Sequence, residues 1–338
     1  MIYSSVLDCI GETPVVALHR LFPGDDVEVL AKLEFLNPGG SAKDRPARHI
    51  VETGLRTGAI SRKSHIVESS SGNLGIALAM VCRIHQLPLT VVVDPNITAS
   101  NLLLLRRLGA NVEMVSELDE HGDGYLNRRL SRVHELVETV LGAVWINQYA
   151  NELAWQAHRA TGREIISQIG TTGAPIDYFV AAVSTAGTIH GVSRVLREQW
   201  PQMRAVAVDA AGSVIFGGSP GRRRLPGIGA GRVPELLCRD EIDQVIRVDD
   251  VGAVRGCRAL LAEEAMFAGG SSGAVVSAIG HLRAGLPVSD RPARILCLLA
   301  DRGERYFDLV YGDSVNRLDE VGDDLCPVSW TTSAGRTP

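Results

Sequence analysis

Lysine is nearly absent from this chain. Of its 338 residues 34 are basic, and only Lys32, Lys43 and Lys63 among them are lysine, which leaves 31 arginines. Arginine keeps its proton in proteins, so chemistry that needs a free amine has three candidate side chains. Cysteine is sparse as well: Cys9, Cys82, Cys238, Cys257, Cys297 and Cys326 are scattered, with no Cys-x-x-Cys pair. That spacing argues against a zinc site and a disulfide framework, and it is expected of buried thiols in a reducing cytoplasm. No long uncharged apolar run occurs, and residues 1–30 show no basic segment leading into an apolar one, so neither a membrane span nor secretion is expected. The balance of 39 acidic against 34 basic residues gives a net charge of −5, which argues against bulk attraction to nucleic acid or an anionic membrane.

What the chain does have is enough apolar material, 45% of residues, for a large core. Short β-branched runs at His65–Glu68, Leu89–Asp94, Asn111–Val115, Tyr178–Val183, Ala205–Asp209, Val245–Val248 and Ile295–Leu299 read as strands. Helical periodicity lies between most of them, as in Leu74–Ile84, Leu126–Leu141, Ala154–Ile169 and Thr188–Gln199. Near-continuous apolar strands alternating with helices predict an α/β fold with parallel-rich sheets covered on both faces. The polar segment around Tyr149–Asn151 breaks the alternation, so two lobes meeting at a cleft are expected, with ligands beyond the carboxyl ends of strands.

Four glycine- or serine-rich loops stand out, several of them just after a strand. Asn37-Pro38-Gly39-Gly40-Ser41-Ala42-Lys43-Asp44-Arg45-Pro46 leads into a helix, and a lysine at that helix start has its pKa lowered by the dipole, making it a better amine nucleophile. Glu68-Ser69-Ser70-Ser71-Gly72-Asn73-Leu74-Gly75 follows a strand and offers hydroxyls and helix-start N–H groups to a carboxylate or phosphate. Ser184-Thr185-Ala186-Gly187-Thr188 has the makings of a phosphate cup without a lysine. Gly269-Gly270-Ser271-Ser272-Gly273 opens a further helix. Each loop, taken singly, is also an ordinary cap or strand–helix turn. Gly227-Ile228-Gly229-Ala230-Gly231 lacks the strand and helix that a dinucleotide fingerprint needs. His121 in an acidic loop has no partner spacing for a metal, Trp145, Trp155 and Phe216 read as packing residues, and Asp94 reads as a turn residue.

In this order the four loops resemble the fold-type II pyridoxal-phosphate enzymes, the cysteine synthase and cystathionine β-synthase group, from about Leu7 to Leu309. The resemblance implies a two-domain fold (tryptophan synthase β-like), with a smaller mobile domain at 45–150, a larger cofactor-binding domain from 1–44 plus 151–318, and a tail at 319–338. It also implies pyridoxal 5′-phosphate as cofactor, no metal, a homodimer and small amino-acid substrates. Lys43 is then the catalytic residue that holds the cofactor as an imine and moves the substrate's α-proton. Asn73 bonds the ring hydroxyl, Ser184, Thr185, Ala186, Gly187 and Thr188 cradle the 5′-phosphate, and Ser271 faces the pyridine nitrogen. Ser70, Ser71 and Gln148 take the substrate carboxylate. Where the group has Thr-Gly-Gly-Thr this chain has Thr185-Ala186-Gly187-Thr188, and Leu74 replaces a threonine after Ser-Gly-Asn.

Several segments are closer to one branch of the group: Phe35–Lys43, Asp44-Arg45-Pro46-Ala47, Trp145-Ile146-Asn147-Gln148-Tyr149-Ala150-Asn151, Gly212–Gly217, Pro226–Ala230 and Gly124-Tyr125-Leu126 with Arg129. That branch joins O-phospho-L-serine and L-glutamate, by way of an aminoacrylate, to give N-(2-amino-2-carboxyethyl)-L-glutamate and phosphate, on the way to 2,3-diaminopropionate in siderophore and antibiotic pathways. By this likeness Arg129 and Tyr149 are expected at the substrate phosphate and Arg232 at the glutamate side chain. Cysteine synthase, serine/threonine dehydratase and a catalytically silent binding protein are the alternatives. Borohydride reduction of the cofactor-loaded protein should fix the label on the Lys43 peptide; a label on Lys32 or Lys63, or none, would end this reading.

Overall fold

The structure, a computed structural model, describes residues 2–119, 124–170 and 174–312. His121, Cys326 and the 319–338 tail lie outside the described residues. In chain order the elements are β1 (Val15–Ala17), β2 (Val27–Leu33), α1 (Asp44–Thr57), β3 (His65–Ser69), α2 (Asn73–His85), β4 (Leu89–Val93), α3 (Ala99–Arg107), β5 (Asn111–Met114), α4 (Leu126–Thr139), β6 (Ala143–Trp145), α5 (Leu153–Ile169), β7 (Tyr178–Ala182), α6 (Gly187–Gln199), β8 (Arg204–Ala210), β9 (Gln244–Val248), α7 (Asp250–Glu264), α8 (Gly270–Ala284) and β10 (Ala293–Leu299).

The strands form two sheets. The six-stranded sheet runs β1-β2-β10-β7-β8-β9, parallel except for β1, and the four-stranded sheet runs β5-β4-β3-β6, parallel throughout. Helices cover both faces of the larger sheet. One apolar cluster joins Val29, Val206, Val208 and Cys297 to α7 and α8, and another joins Phe179, Ala207 and Leu296 to α5 and α6. Burial on both faces explains why strands such as Leu89–Val93 are apolar without alternation. Helices α5 and α6 pack tightly because Gly191 lets them: a Cβ there would lie 2.1 Å from the Trp155 carbonyl oxygen.

All seven expected strands are present, and β1, β2 and β6 are additions to them. In β2 the sequence Val-Glu-Val-Leu-Ala-Lys-Leu carries Lys32, one of the three candidate amines, and it is fully buried. Its amine donates to the Thr13 carbonyl (2.5 Å), Glu164 Oε2 (2.9 Å) and Gln168 Oε1 (3.0 Å). Glu164 in turn accepts from Arg45 Nη1 (2.6 Å) and Nη2 (2.7 Å), and the same guanidinium binds Glu34 through Nε (2.6 Å) and Nη2 (2.7 Å). Two cations thus match two carboxylates. Burial pushes Glu34 upward, but Arg45 outweighs it and the carboxyl stays below its usual range.

This network ties the first turn of α1 to β2 and α5. Arg45→Met would leave Glu34 buried and uncompensated, and we expect a loss of about 3–5 kcal/mol in chemical denaturation. A loss under about 1 kcal/mol would show that the network adds little.

Candidate active site

The carboxyl ends of β3, β7 and β10 open onto one cleft of about 980 Å³, a size that takes a cofactor and a small substrate. Lys43 lies in it, at the N-cap of α1. Among the described residues its Nζ has no hydrogen-bond or ion-pair partner. Burial pulls this amine below the ordinary lysine range, and the Asp301 charge opposes it only in part. Desolvation is therefore the main cause, where the sequence had pointed to the helix dipole. Lys32 is consumed by the buried network, and Lys63 is exposed on the surface.

The loop after β3 places Ser70 and Ser71 on the same wall. Ser70 Oγ accepts the Gly75 N–H at 3.1 Å, capping the start of α2, so its own proton is free for a ligand. Ser71 Oγ accepts from Arg129 Nη1 (3.2 Å) and lies 3.4 Å from Asp94 Oδ2. Gln148 also lines the cleft, and its amide donates to the Ser69 carbonyl at 3.1 Å. Leu74 is buried in the α2 core, so its position offers no hydroxyl.

Ser184, Thr185, Ala186 and Thr188 line the cleft where β7 gives way to α6. Ala186, the N-cap of α6, takes the left-handed conformation at φ 65°. Thus the extra methyl is accommodated, and the first N–H groups of the helix remain directed at an anion site. Thr188 Oγ1 is 3.2 Å from His158 Nε2, and His158 Nδ1 is 3.3 Å from Thr161 Oγ1. Burial, reinforced by Lys43 and Arg45, drives His158 well below its usual range, so it is neutral.

Across the cleft Ser271 Oγ donates to Asp301 Oδ1 at 3.2 Å. Asp301 also accepts from the Asn73 amide (2.7 Å) and from the Tyr306 hydroxyl, and Asn73 Oδ1 accepts from Arg305. Asn73 is therefore engaged with Asp301 and Arg305, and Ser271 has its proton committed to a carboxylate. Asp301, Tyr306, Arg305 and His158 were not picked out from the sequence. Only the position of Asp301 just beyond β10 signals it, by the same strand-end logic as the other loops.

Two sequence expectations change. Asp94 does make a turn, accepting the Asn96 N–H at 2.9 Å, but its Oδ2 also lies 3.1 Å from Arg129 Nε, so part of the Arg129 charge is neutralised within the chain. Arg232 pairs with Glu235 and stacks 5.3 Å from the Tyr149 ring centre, so it is not a free receptor for a side-chain carboxylate. Tyr149 does lie in the cleft, its phenol pushed up by burial. Trp155 and Phe216 carry stacked arginines, Arg194 at 4.4 Å and Arg239 at 5.8 Å, and Trp145 meets His134 edge-on at 5.0 Å, as packing residues do.

A lysine free in a cleft, an anion cup on a helix start and a buried serine–aspartate pair together suit a phosphorylated aldehyde. Residues 6–301 match the family described as pyridoxal-phosphate dependent enzyme, and the chain belongs to that family. It is 56% identical over 315 residues to N-(2-amino-2-carboxyethyl)-L-glutamate synthase of Cupriavidus metallidurans, covering 93% of this chain and 91% of the relative. It is 57% identical over 314 residues to the protein of the same name from Ralstonia nicotianae, with the same coverage. Among solved structures, the O-acetylserine-dependent cystathionine β-synthase of Helicobacter pylori is similar with TM-score 0.84 and 31% identity, over 92% of this chain and 99% of that one. O-ureido-L-serine synthase is similar with TM-score 0.84 and 32% identity, over 96% and 98%. The chain is thus a pyridoxal-phosphate-dependent synthase of fold-type II.

The residues present fit that cofactor, since the Lys43 amine is unpartnered and the 184–188 turn presents hydroxyls and N–H groups to the same cleft. Beneath the Ser69–Ser71 loop, Glu68 is fully buried, its Oε2 without a partner, and burial pushes it up to about 8. Because the folded state holds this proton more tightly than the unfolded chain, the stability it contributes is present below the ordinary value of 4.5 and is lost as pH rises through about 8. Glu68→Gln should therefore gain on the parent protein by on the order of 1–3 kcal/mol between those pH values, in denaturation at several pH values. Parallel pH profiles would mean that Glu68 is ionised in the fold.

Proposed function

We propose that the chain catalyses β-replacement, in which the amine of L-glutamate displaces phosphate from O-phospho-L-serine to give N-(2-amino-2-carboxyethyl)-L-glutamate. The observation that carries the chemistry is the single uncommitted lysine amine in the cleft. The names of the relatives at 56% and 57% identity support the choice of substrates, and the arginines along the cleft suit two anionic amino acids.

Bound pyridoxal phosphate supplies an electron-withdrawing ring that makes the substrate's Cα proton acidic. Lys43 holds the cofactor at rest, takes the Cα proton and later returns it. Ser70, Ser71 and Gln148 bind and orient the substrate carboxylate, Ser70 through its free proton. Ser184, Thr185, Ala186, Gly187 and Thr188 hold the cofactor phosphate, with His158 orienting the Thr188 hydroxyl. Asn73 and Ser271 would stand at the ring edge, where the Ser271 hydroxyl, its proton given to Asp301, can only accept, and Asn73 would exchange a present partner for the ring hydroxyl. At Cβ the C–O bond to phosphate breaks with its electron pair leaving on phosphate, and a C–N bond to glutamate forms as the amine gives up a proton. Arg129 and Tyr149 receive the departing phosphate, and the shared Asp94 charge keeps Arg129 from holding it too tightly.

The division into a smaller lobe, 45–150, which carries Ser70, Ser71 and Arg129, and a larger one, which carries the 184–188 turn, belongs to this proposal. So do the homodimer, the cytoplasmic setting and a product destined for a 2,3-diaminopropionate-containing siderophore or antibiotic. The test is incubation with O-phospho-L-serine plus either glutamate or sulfide, following phosphate release and product mass. Phosphate release with the glutamate adduct is expected, and Lys43→Ala should abolish both. Phosphate release with sulfide but not glutamate would replace this reading with a cysteine synthase.

A further inference from the structure

The reaction proposed above brings a second anion into the cleft, and the arginines there are unequally committed. Arg129 is shared between Asp94 and Ser71, and Arg232 between Glu235 and the Tyr149 ring. Arg222 and Arg224 are exposed. Arg223 differs. It is half-buried on the cleft wall, its Nε is enclosed without a hydrogen-bond partner, and among the described residues no carboxylate pairs with it. Its guanidinium lies along the Gly227–Gly231 loop, with Nη1 3.1 Å and Nη2 3.6 Å from where side chains at Gly229 and Gly231 would begin. Glycine at both positions leaves room for it, and Gly229 takes φ +69° as well.

We propose that Arg223 receives a carboxylate of the second, nucleophilic amino acid. A planar guanidinium with vacant donors matches a carboxylate with two parallel hydrogen bonds. Its Nε is enclosed, so Nη1 and Nη2, which no group among the described residues takes up, are the donors that a carboxylate in the cleft can reach. Burial lowers the Arg223 pKa, while the Asp209 and Asp250 carboxylates oppose that shift without a direct bond. Arg129, Tyr149, Arg223 and Arg232 all line the one cleft, so Arg223 opens on the cavity that the first substrate would occupy.

This inference rests on the glutamate reading, and one experiment separates the two. The parent protein and Arg223→Gln, Arg223→Lys and Arg232→Gln are assayed for the first-turnover release of phosphate from O-phospho-L-serine alone, and for the KM of glutamate. Glutarate, which keeps both carboxylates and lacks the amine, is titrated calorimetrically into each. Arg223→Gln should raise the glutamate KM and weaken glutarate by about tenfold or more, with first-turnover release within about twofold of the parent. Arg223→Lys should recover part of the loss, and Arg232→Gln should shift glutamate less. If the parent forms the glutamate adduct and Arg223→Gln leaves its KM and glutarate affinity unchanged, or slows the first turnover equally, the inference is overturned while the reaction stands. If the parent forms no adduct, the proposed reaction falls and takes the inference with it.

Discussion

The cluster of Arg45, Glu34, Glu164 and Lys32 sets the conditions for the site. Arg45 stands two residues beyond Lys43, and its guanidinium is clamped between carboxylates from the segment after β2 and from α5. The first turn of α1 cannot shift without breaking charge pairs where water does not reach. The backbone at Lys43 is held, while its side chain is left without a partner. The same cluster takes up Lys32, so a chain with three lysines presents only one to the cleft. Rigidity and selectivity for one amine have a common physical source.

Electrostatics in the cleft follow from how carboxylates are distributed among many arginines. Where a carboxylate lies within reach, as Asp94 does for Arg129 and Glu235 for Arg232, the cation is partly satisfied and orients a neighbour. Arg223 has only distant charges, and burial raises the cost of leaving it so. Asp301 works in the opposite sense. It gathers donors from Ser271, Asn73 and Tyr306, stays near Lys43 without pairing with it, and so keeps the amine from losing all electrostatic support. Strong ion pairs hold the scaffold, and weaker or missing ones mark the places where ligands complete the set.

The seven apolar strands and the four glycine- or serine-rich loops were legible because burial on both sheet faces and the chemistry of glycine and serine act locally. Strand β2 was not, since Lys32 interrupts its apolar run and its burial depends on Glu164, 132 residues away in sequence. Asp94 shows the same limit. Its turn is a matter of neighbours two residues away, and its pairing with Arg129 is a matter of the fold. Among the described residues no helix is long and apolar enough to cross a membrane.

By itself the amino-acid sequence determined the α/β class, the scarcity of lysine and the order of loops that marks a pyridoxal-phosphate enzyme. These depend on residue type and short spacing. Which lysine is free, which arginine lacks a counter-charge and which carboxylate stands behind Ser271 were decided only by the tertiary structure. Each depends on a partner brought from another part of the chain, and charge, unlike hydrophobic periodicity, has no meaning for a site until its neighbours are in place.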